Sequence, residues 1–437
     1  MMLRKLSWVG ALAVLGLVAC EAGKTGGTGG SSTSTSGSGG SGAATTGTAG
    51  SGNSDGGLFE TGPSGAGGSV VNCNSGPDDD ADADGFTPNT GDCNDCDKNV
   101  NPGAVEVIDM GGGGSGGGPG EPVDEDCDNL IDDADTDLQG CDVNLAVDGS
   151  AMDGAKAIDI CKTAVGATGW GVLEAKWVLA DGTPGPANPN FDLGHGILSG
   201  FGPNVNVQKG QRMLGVSSGA ARQPNDPGYQ DVGGFSKGYS CTHPIGFPKE
   251  SPSCGVAVTG SCYDSTGLEI LVRAPTNANG FSFNFNFFTY EWPGYVCSTF
   301  NDFFTALLMP FPQGQNDGNI TFDNFQNPVS VNNAFVEVCG CFNGPPCQAG
   351  GKTFDCNLGT TGLVGTGFGA DTAFSDHGST SWLLTQAPIE PGAVFTLRFV
   401  TYDSGDGVLD STTLVDNFQW IAEPGTQIGT TPIPDPK

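Results

Sequence analysis

Basic residues, histidine and long apolar segments are scarce in this sequence, and each scarcity excludes a class of function. Its 437 residues include 16 Lys and Arg against 49 Asp and Glu, which gives a formal net charge of −33. Nucleic acid and anionic membrane surfaces repel such a chain, so neither is expected as a partner. Three histidines offer few imidazole ligands for copper or zinc. No segment beyond the N-terminal region is long and apolar enough to span a bilayer.

The first twenty residues predict export and lipidation. Arg4 and Lys5 precede an apolar run at 6–19 that is too short to span a bilayer as a mature helix. The run ends in LVAC at 17–20, which resembles the lipobox of bacterial lipoproteins, where the cysteine is diacylated and becomes the new N-terminus. We therefore predict a lipoprotein signal peptide at 1–19, a membrane anchor through lipid on Cys20, and a place in the bacterial cell envelope, at the outer membrane or cell surface. An ordinary cleavable signal with a chance cysteine is the alternative.

Composition divides the rest of the chain. The 52 residues at 20–71 include 18 Gly and 18 Ser or Thr, and cannot bury a core, so they are predicted to be a disordered linker. Segment 72–141 carries 19 acidic residues and one Lys, Lys98. Such a density repels itself unless divalent cations neutralise it. A large domain is expected at 142–424, and a flexible tail at 425–437.

Fifteen cysteines are present, and removing Cys20 leaves an even number. In an exported chain these are most simply interpreted as up to seven disulfides. A zinc site is the alternative for the cluster of Cys339, Cys341, Cys347 and Cys356. Its spacing is not that of a paired CxxC ribbon, and the compartment is oxidising, so disulfides are favoured.

Alternating apolar residues predict an all-β fold for the large domain. Phe281, Phe283, Phe285 and Phe287 alternate with small polar residues, and similar alternation recurs at 268–273 and 395–399. Period two with one polar face is typical of half-buried strands in antiparallel sheets. We expect a β-sandwich or jelly-roll-like domain in which the 281–287 strand is central, with one short helix at 152–165.

The acidic segment holds two sets of regularly spaced carboxylates. In DADADG at 80–85, Asp occupies positions 1, 3 and 5 and Gly position 6, as at the start of a calcium loop, although Gly91 replaces the usual Glu at position 12. The set at 124–132 repeats the spacing, with Asn129 in place of Gly. A solvated acidic linker without a site is the alternative. The predicted calcium ligands are Asp80, Asp82, Asp84, Asp92, Asp95, Asp97, Asp124, Asp126, Asp128 and Asp132.

Together, DADADGFTPNTGDCNDCDKNVNPGAVEV and VDEDCDNLIDD resemble the MopE-like metal-binding motif of secreted bacterial proteins, over about residues 78–133. Two departures are Ile108, where a cysteine is common, and the extra Cys96. The resemblance leaves disulfide pairing open, with Cys127 expected to join Cys93 or Cys96. Because the segment offers carboxylates and no His, we expect Ca²⁺ rather than copper as the bound cofactor.

A second resemblance lies in the C-terminal half, where FFTYEWPGYV at 287–296, FNDFF at 300–304 and YDSGDGVLDS at 402–411 occur in order. They resemble the choice-of-anchor L domain, most strongly over 267–421 and extending back to about 145. The resemblance implies display at the cell surface and no established enzymatic activity. The motif carboxylates Glu291, Asp302, Asp403 and Asp410 are either a second calcium site joining two loops or turn residues that bond their own backbone.

These features predict a non-enzymatic, lipid-anchored surface protein with a calcium-stabilised ectodomain, acting in adhesion, matrix or envelope structure, with a glycan or a surface protein as ligand. A carbohydrate-binding module is the alternative, in which tryptophans form an exposed stacking platform. A secreted hydrolase is a third, because GVSSG at 215–219 fits the G-x-S-x-G pattern, although prolines soon follow it. The tryptophans in question are Trp170, Trp177, Trp292, Trp382 and Trp420.

Overall fold

The structure is a computed structural model that describes residues 75–107, 123–131, 140–369 and 376–434. All of them belong to one compact unit, Ala66–Lys437. Four sequence predictions lie outside the described residues: the signal peptide at 1–19, lipidation of Cys20, the linker at 20–71 and the metal ligand Asp132. Within the described ranges, no helix has both the length and the apolar character needed to cross a membrane.

Strands dominate the regular structure of the described residues, which confirms the predicted all-β class. The two α-helices are α1 (Ala151–Lys156) and α2 (Pro189–Leu193). The strands are β1 (Gly171–Val178), β2 (His195–Leu198), β3 (Met213–Ser217), β4 (Ser240–Cys241), β5 (Cys262–Arg273), β6 (Gly280–Thr289), β7 (Phe303–Met309), β8 (Cys347–Ala349), β9 (Lys352–Phe354), β10 (Gly378–Ser379), β11 (Leu383–Pro388), β12 (Val394–Ser404), β13 (Ser411–Ile421) and β14 (Gly429–Pro432).

Two antiparallel sheets form the sandwich. One has the order β1-β5-β12-β7, with β4 paired to β5, and the other has the order β14-β11-β6-β13-β3-β2, with β10 paired to β6. Strands β8 and β9 form a separate hairpin. Since β14 pairs with β11 over Gly429–Pro432, part of the segment predicted to be a flexible tail is instead a sheet edge.

The phenylalanine strand lies at the centre of the core, as predicted. In β6, which is flanked by β11 and β13, the four alternating phenylalanines are completely buried. They cross the gap between the sheets: Phe281 stacks on Phe395 at 5.6 Å, and Phe283 meets Phe399 edge-to-face at 4.9 Å. Each such ring removes a large apolar surface from water, which is the main force holding the two sheets together.

The other face of β6 differs from the prediction, because it is buried as well. Ser282, Asn284 and Asn286 are at most 8 % exposed. Ser379 donates to the Asn286 side-chain oxygen at 2.6 Å, and a second apolar cluster that includes Phe288 packs on this side. Long connections, mainly from 199 to 207 and 358 to 369, cover the sheet there. Period-two patterning cannot reveal this cover, which comes from segments distant in sequence.

The predicted helix at 152–165 is too long. Helix α1 is capped by Ser150, whose side chain accepts from the Asp153 N–H, and it ends at Lys156. Asp159 has a φ of 70°, a left-handed conformation that an α-helix cannot contain. Beyond it, Cys161 is bonded to Cys141, and Thr163 forms a bridge with Val172 of β1. Tertiary constraints therefore override the helical spacing.

Disulfides account for the cysteines that raised the zinc alternative. Cys339 pairs with Cys356 and Cys341 with Cys347, so that alternative is wrong. The remaining bridges between described residues are Cys93–Cys127, Cys141–Cys161, Cys241–Cys262 and Cys254–Cys297.

Candidate metal centre

The first acidic loop folds around its own carboxylates. The Asp84 N–H donates to Asp80 Oδ1 at 3.2 Å and to Asp82 Oδ1 at 3.3 Å. Gly85 N–H donates to Asp80 Oδ2 at 3.1 Å, and Phe86 N–H to Asp84 Oδ1 at 2.8 Å. Gly85 has a φ of 97°, which favours glycine. The backbone thus uses one or both oxygens of each Asp and turns alternate side chains to the same side.

The second loop repeats the first bond for bond. Asp128 N–H donates to Asp124 Oδ1 at 3.1 Å and to Asp126 Oδ1 at 3.2 Å. Asn129 N–H donates to Asp124 Oδ2 at 3.0 Å, and Leu130 N–H to Asp128 Oδ1 at 2.7 Å. Asn129, which stands where Gly85 stands in the first loop, has a φ of 72°. Asn tolerates this left-handed conformation, so the departure from glycine does not disturb the loop.

Around the first loop, five carboxylates converge. Oxygens of Asp80, Asp82 and Asp95 lie within 4.8 Å of one another, as do oxygens of Asp82, Asp84 and Asp92. Asp95 Oδ1 accepts from Ala81 N–H at 3.0 Å and Asp92 Oδ1 from Asn94 N–H at 2.8 Å, which fixes both side chains. In Asp82, Asp84, Asp92 and Asp95 the Oδ2 atom is buried and has no hydrogen-bond partner.

Electrostatics disfavour this arrangement without a cation. Burial, followed by repulsion from neighbouring carboxylates, raises the pKa of Asp84 to about 6. The same two causes raise the pKa values of Asp82 and Asp92. Carboxylates that lie close together and away from water destabilise one another's ionised forms, and a divalent cation would reverse that effect. The set consists of hard oxygen donors, as calcium prefers.

The second loop brings together Glu106, Asp124 and Asp126, whose oxygens also lie within 4.8 Å of one another. Glu106 was absent from the predicted ligands, although it lies within the segment that resembles the metal-binding motif. Among the described residues, two predicted ligands lie outside these carboxylate clusters. Asp128 Oδ1 accepts from the Leu130 N–H within its loop, and Asp97 Oδ1 accepts from the Asn99 N–H at 3.1 Å in a local turn.

A disulfide connects the two loops. Cys93, next to Asp92, is bonded to Cys127, which lies between Asp126 and Asp128. The structure thus selects Cys93 from the two partners expected for Cys127. Cys96 is also disulfide-bonded. The segment contains few apolar residues, so these disulfides help to hold it together.

The acidic segment also docks onto the sandwich. Asn277 Nδ2 donates to Val105 O at 2.8 Å, and its Oδ1 accepts from Val105 N–H at 3.0 Å. Thr276 N–H donates to Gly103 O at 3.0 Å, and Trp170 Nε1 donates to Ala104 O at 3.0 Å. We call residues 101–105, together with these partners, the dock. Because Glu106 follows the dock directly, the second carboxylate cluster is held against the large domain.

The four carboxylates predicted as a second metal site are all buried. Glu291, Asp302, Asp403 and Asp410 are at most 2 % exposed. Among these described side chains, no three bring oxygens within 4.8 Å of one another. Burial raises the pKa of each well above its usual range, and repulsion between neighbours adds to the effect.

The sequence features of the alternative functions do not form sites. Ser217 of GVSSG ends β3, is completely buried, and donates to Ser411 O at 2.9 Å; no helix follows it. It therefore lacks the strand–turn–helix setting of a hydrolase nucleophile. Trp170, Trp292 and Trp382 are buried. The partly buried Trp177 stacks on His195, and Trp420 packs edge-on against Trp170, so the five tryptophans form no exposed coplanar platform.

Comparison with known proteins identifies one region. The family model of the choice-of-anchor L domain matches residues 257–417, which include strands β5 to β12 and the first part of β13. The match supports the predicted resemblance for this part of the chain and indicates a protein of the cell surface or envelope. The family is not a known enzyme family. Neither the comparison with curated proteins nor that with solved structures gives a match.

Proposed function

We propose that this chain is a lipid-anchored surface protein without enzymatic activity, whose acidic segment binds calcium and is thereby ordered against a β-sandwich. The observation that carries the proposal is the set of four buried, unpartnered Oδ2 atoms that converge around the first loop. A buried carboxylate oxygen without a partner is costly, and a calcium ion would satisfy several of them together.

The second loop supports the same proposal because its backbone hydrogen bonds repeat those of the first. Two loops of one design, joined by the Cys93–Cys127 disulfide, favour a calcium-binding module over a chance accumulation of acids. Extracellular calcium is abundant, so a dissociation constant of about 10⁻⁴–10⁻³ M would suffice for occupancy.

Display at the surface suggests how the parts work together. Lipid on Cys20 would fix the chain to the membrane, the segment at 20–71 would act as a tether, and the sandwich would present a rigid body to its surroundings. We propose a role in adhesion, matrix or envelope structure, with a glycan or surface protein as ligand. The burial of the tryptophans gives the carbohydrate-binding alternative no specific support.

Hydrogen exchange on the whole ectodomain tests the calcium proposal. Adding calcium to chelator-treated protein should slow exchange of the Asp84, Gly85 and Phe86 amides, which bond to loop carboxylates. The Asn99 amide is an internal control, because it bonds to Asp97 outside the clusters. If calcium well above about 10⁻³ M leaves the exchange rate of each of these four amides unchanged, calcium binding is refuted.

Membrane partition tests the anchor. The full chain expressed in bacteria should enter the detergent phase on phase separation, and Cys20→Ala should move it to the aqueous phase, because the acyl chains provide the membrane affinity. A Cys20→Ala protein that still partitions with detergent would show that the anchor lies elsewhere.

A further inference from the structure

A second group of carboxylates lies inside the sandwich, away from the acidic module. Asp403 is near the end of β12 and Asp410 directly precedes β13, so both belong to the connection between two core strands of opposite sheets. Asp302 precedes β7 on the same side of the molecule, where its side chain accepts from Ser411 Oγ at 2.6 Å. Each of the three is 1 % exposed.

Hydrogen bonds satisfy only some of the oxygens in this group of buried carboxylates. Glu291 Oε2 accepts from the Asp302 N–H at 2.9 Å, and Asp302 Oδ2 accepts from Ser411. By contrast, both oxygens of Asp410 are buried without a hydrogen-bond partner. The buried Asp403 carboxyl lies beside the Ser218 hydroxyl and the Asp302 carboxyl. An ionised carboxylate that is buried without a partner strongly destabilises the folded state.

The nearest buried amine does not supply the missing partner. Lys237 is 1 % exposed, and its Nζ donates to Ser217 O at 2.8 Å and to Thr266 Oγ1 at 2.5 Å rather than to either Asp. The backbone approaches Asp410 closely, since a Cβ added at Gly219 would lie 1.9 Å from its Oδ2. Because residue 219 is a glycine without a side chain, the interior has room for the Asp410 carboxylate.

We propose that Asp403 and Asp410 hold a calcium-type cation inside the sandwich, which fastens the β12–β13 connection. Carboxylate oxygens are hard donors, and a cation shared between these two side chains would satisfy the unpartnered oxygens of Asp410 and neutralise the neighbouring charge of Asp403. Calcium takes about six to eight oxygens, so hydroxyls, main-chain oxygens or waters would complete its shell.

The test counts calcium in the full ectodomain, with the module's contribution removed by Asp82→Asn and Asp126→Asn. After calcium loading and dialysis against chelator under native conditions, elemental analysis should find a single enclosed calcium ion per chain, released only on unfolding. Adding Asp410→Asn should abolish this retention. Adding Asp323→Asn should preserve it, because Asp323 is equally buried but accepts from Phe325, Asn327 and Ala334 N–H groups.

Two results would overturn the proposal: no retained calcium in the parent chain, or retention that Asp410→Asn leaves unchanged. If Asp410→Asn does not fold, Asp403→Asn and the release of calcium from the parent chain on unfolding decide the question. If the carboxylates share a proton in place of a cation, the parent chain should retain no calcium, and Asp403→Asn should make it more stable. Failure of the module to bind calcium would be seen separately, by comparing chains with and without Asp82→Asn and Asp126→Asn.

Discussion

The dock offers a direct perturbation of the link between the acidic module and the sandwich. Asn277 is 2 % exposed, and its amide group bonds both the N–H and the C=O of Val105. Asn277→Ala would leave both backbone groups buried without these partners. Each unsatisfied group costs about 1–3 kcal/mol, so the dock should weaken by about 2–4 kcal/mol after partial access of water.

Exchange of the Val105 amide hydrogen measures this loss. If the dock opens locally, a weakening of about 2–4 kcal/mol corresponds to an increase in exchange rate on the order of 30- to 1000-fold. Asn279→Ala is the matched control, because the Asn279 side chain donates to main-chain oxygens of the sandwich, Ala422 O at 2.6 Å and Asn277 O at 3.3 Å, and not to Val105. Equal Val105 exchange in Asn277→Ala and wild type would refute the assignment of the dock to these hydrogen bonds.

Two further predictions concern the sandwich. Phe283→Ala should lower the free energy of unfolding by about 3–5 kcal/mol in denaturant melts, whereas Phe325→Ala, at a ring that is 66 % exposed, should cost less than about 1 kcal/mol; equal small losses would show that β6 is not core. Burial, with repulsion from Asp159, raises the pKa of Asp416 to about 8 in the folded state. Folded Asp416 therefore keeps its proton up to about pH 8, whereas unfolded Asp416 loses it near pH 4. The stability that Asp416 contributes should be lost as pH rises from about 4 to about 8. Asp416→Asn should flatten that decline, and an unchanged pH profile would contradict it.

Sequence patterning was sufficient for the core strands β5, β6 and β12 and for the spacing of the acidic loops. The alternation of Phe281 to Phe287 follows directly from the two-residue period of a strand, and the 1-3-5 spacing of Asp follows from backbone turns that the sequence specifies locally. Both are short-range features, and in both cases the structure places the residues as local geometry requires.

What the sequence did not reveal depends on contacts between distant segments. Glu106 meets Asp124 and Asp126 from a distant part of the sequence, next to Val105, which is bonded to Asn277 of the sandwich. The helix predicted to reach Val165 ends at Lys156 because a disulfide and a bridge to β1 constrain the chain that follows. The burial of Asn284 and Asn286 likewise comes from connections elsewhere in the chain, and no periodicity at 281–287 encodes it.

Calorimetric titration of calcium into the chelator-treated ectodomain tests the central claim most directly. We expect saturable binding that Asp82→Asn weakens strongly, because Asp82 belongs to both carboxylate clusters of the first loop. Asp97→Asn removes the same charge from the same segment but lies outside the clusters, so it should leave the affinity nearly unchanged. No binding up to several times about 10⁻³ M, or an equal loss in both variants, would contradict a built calcium site.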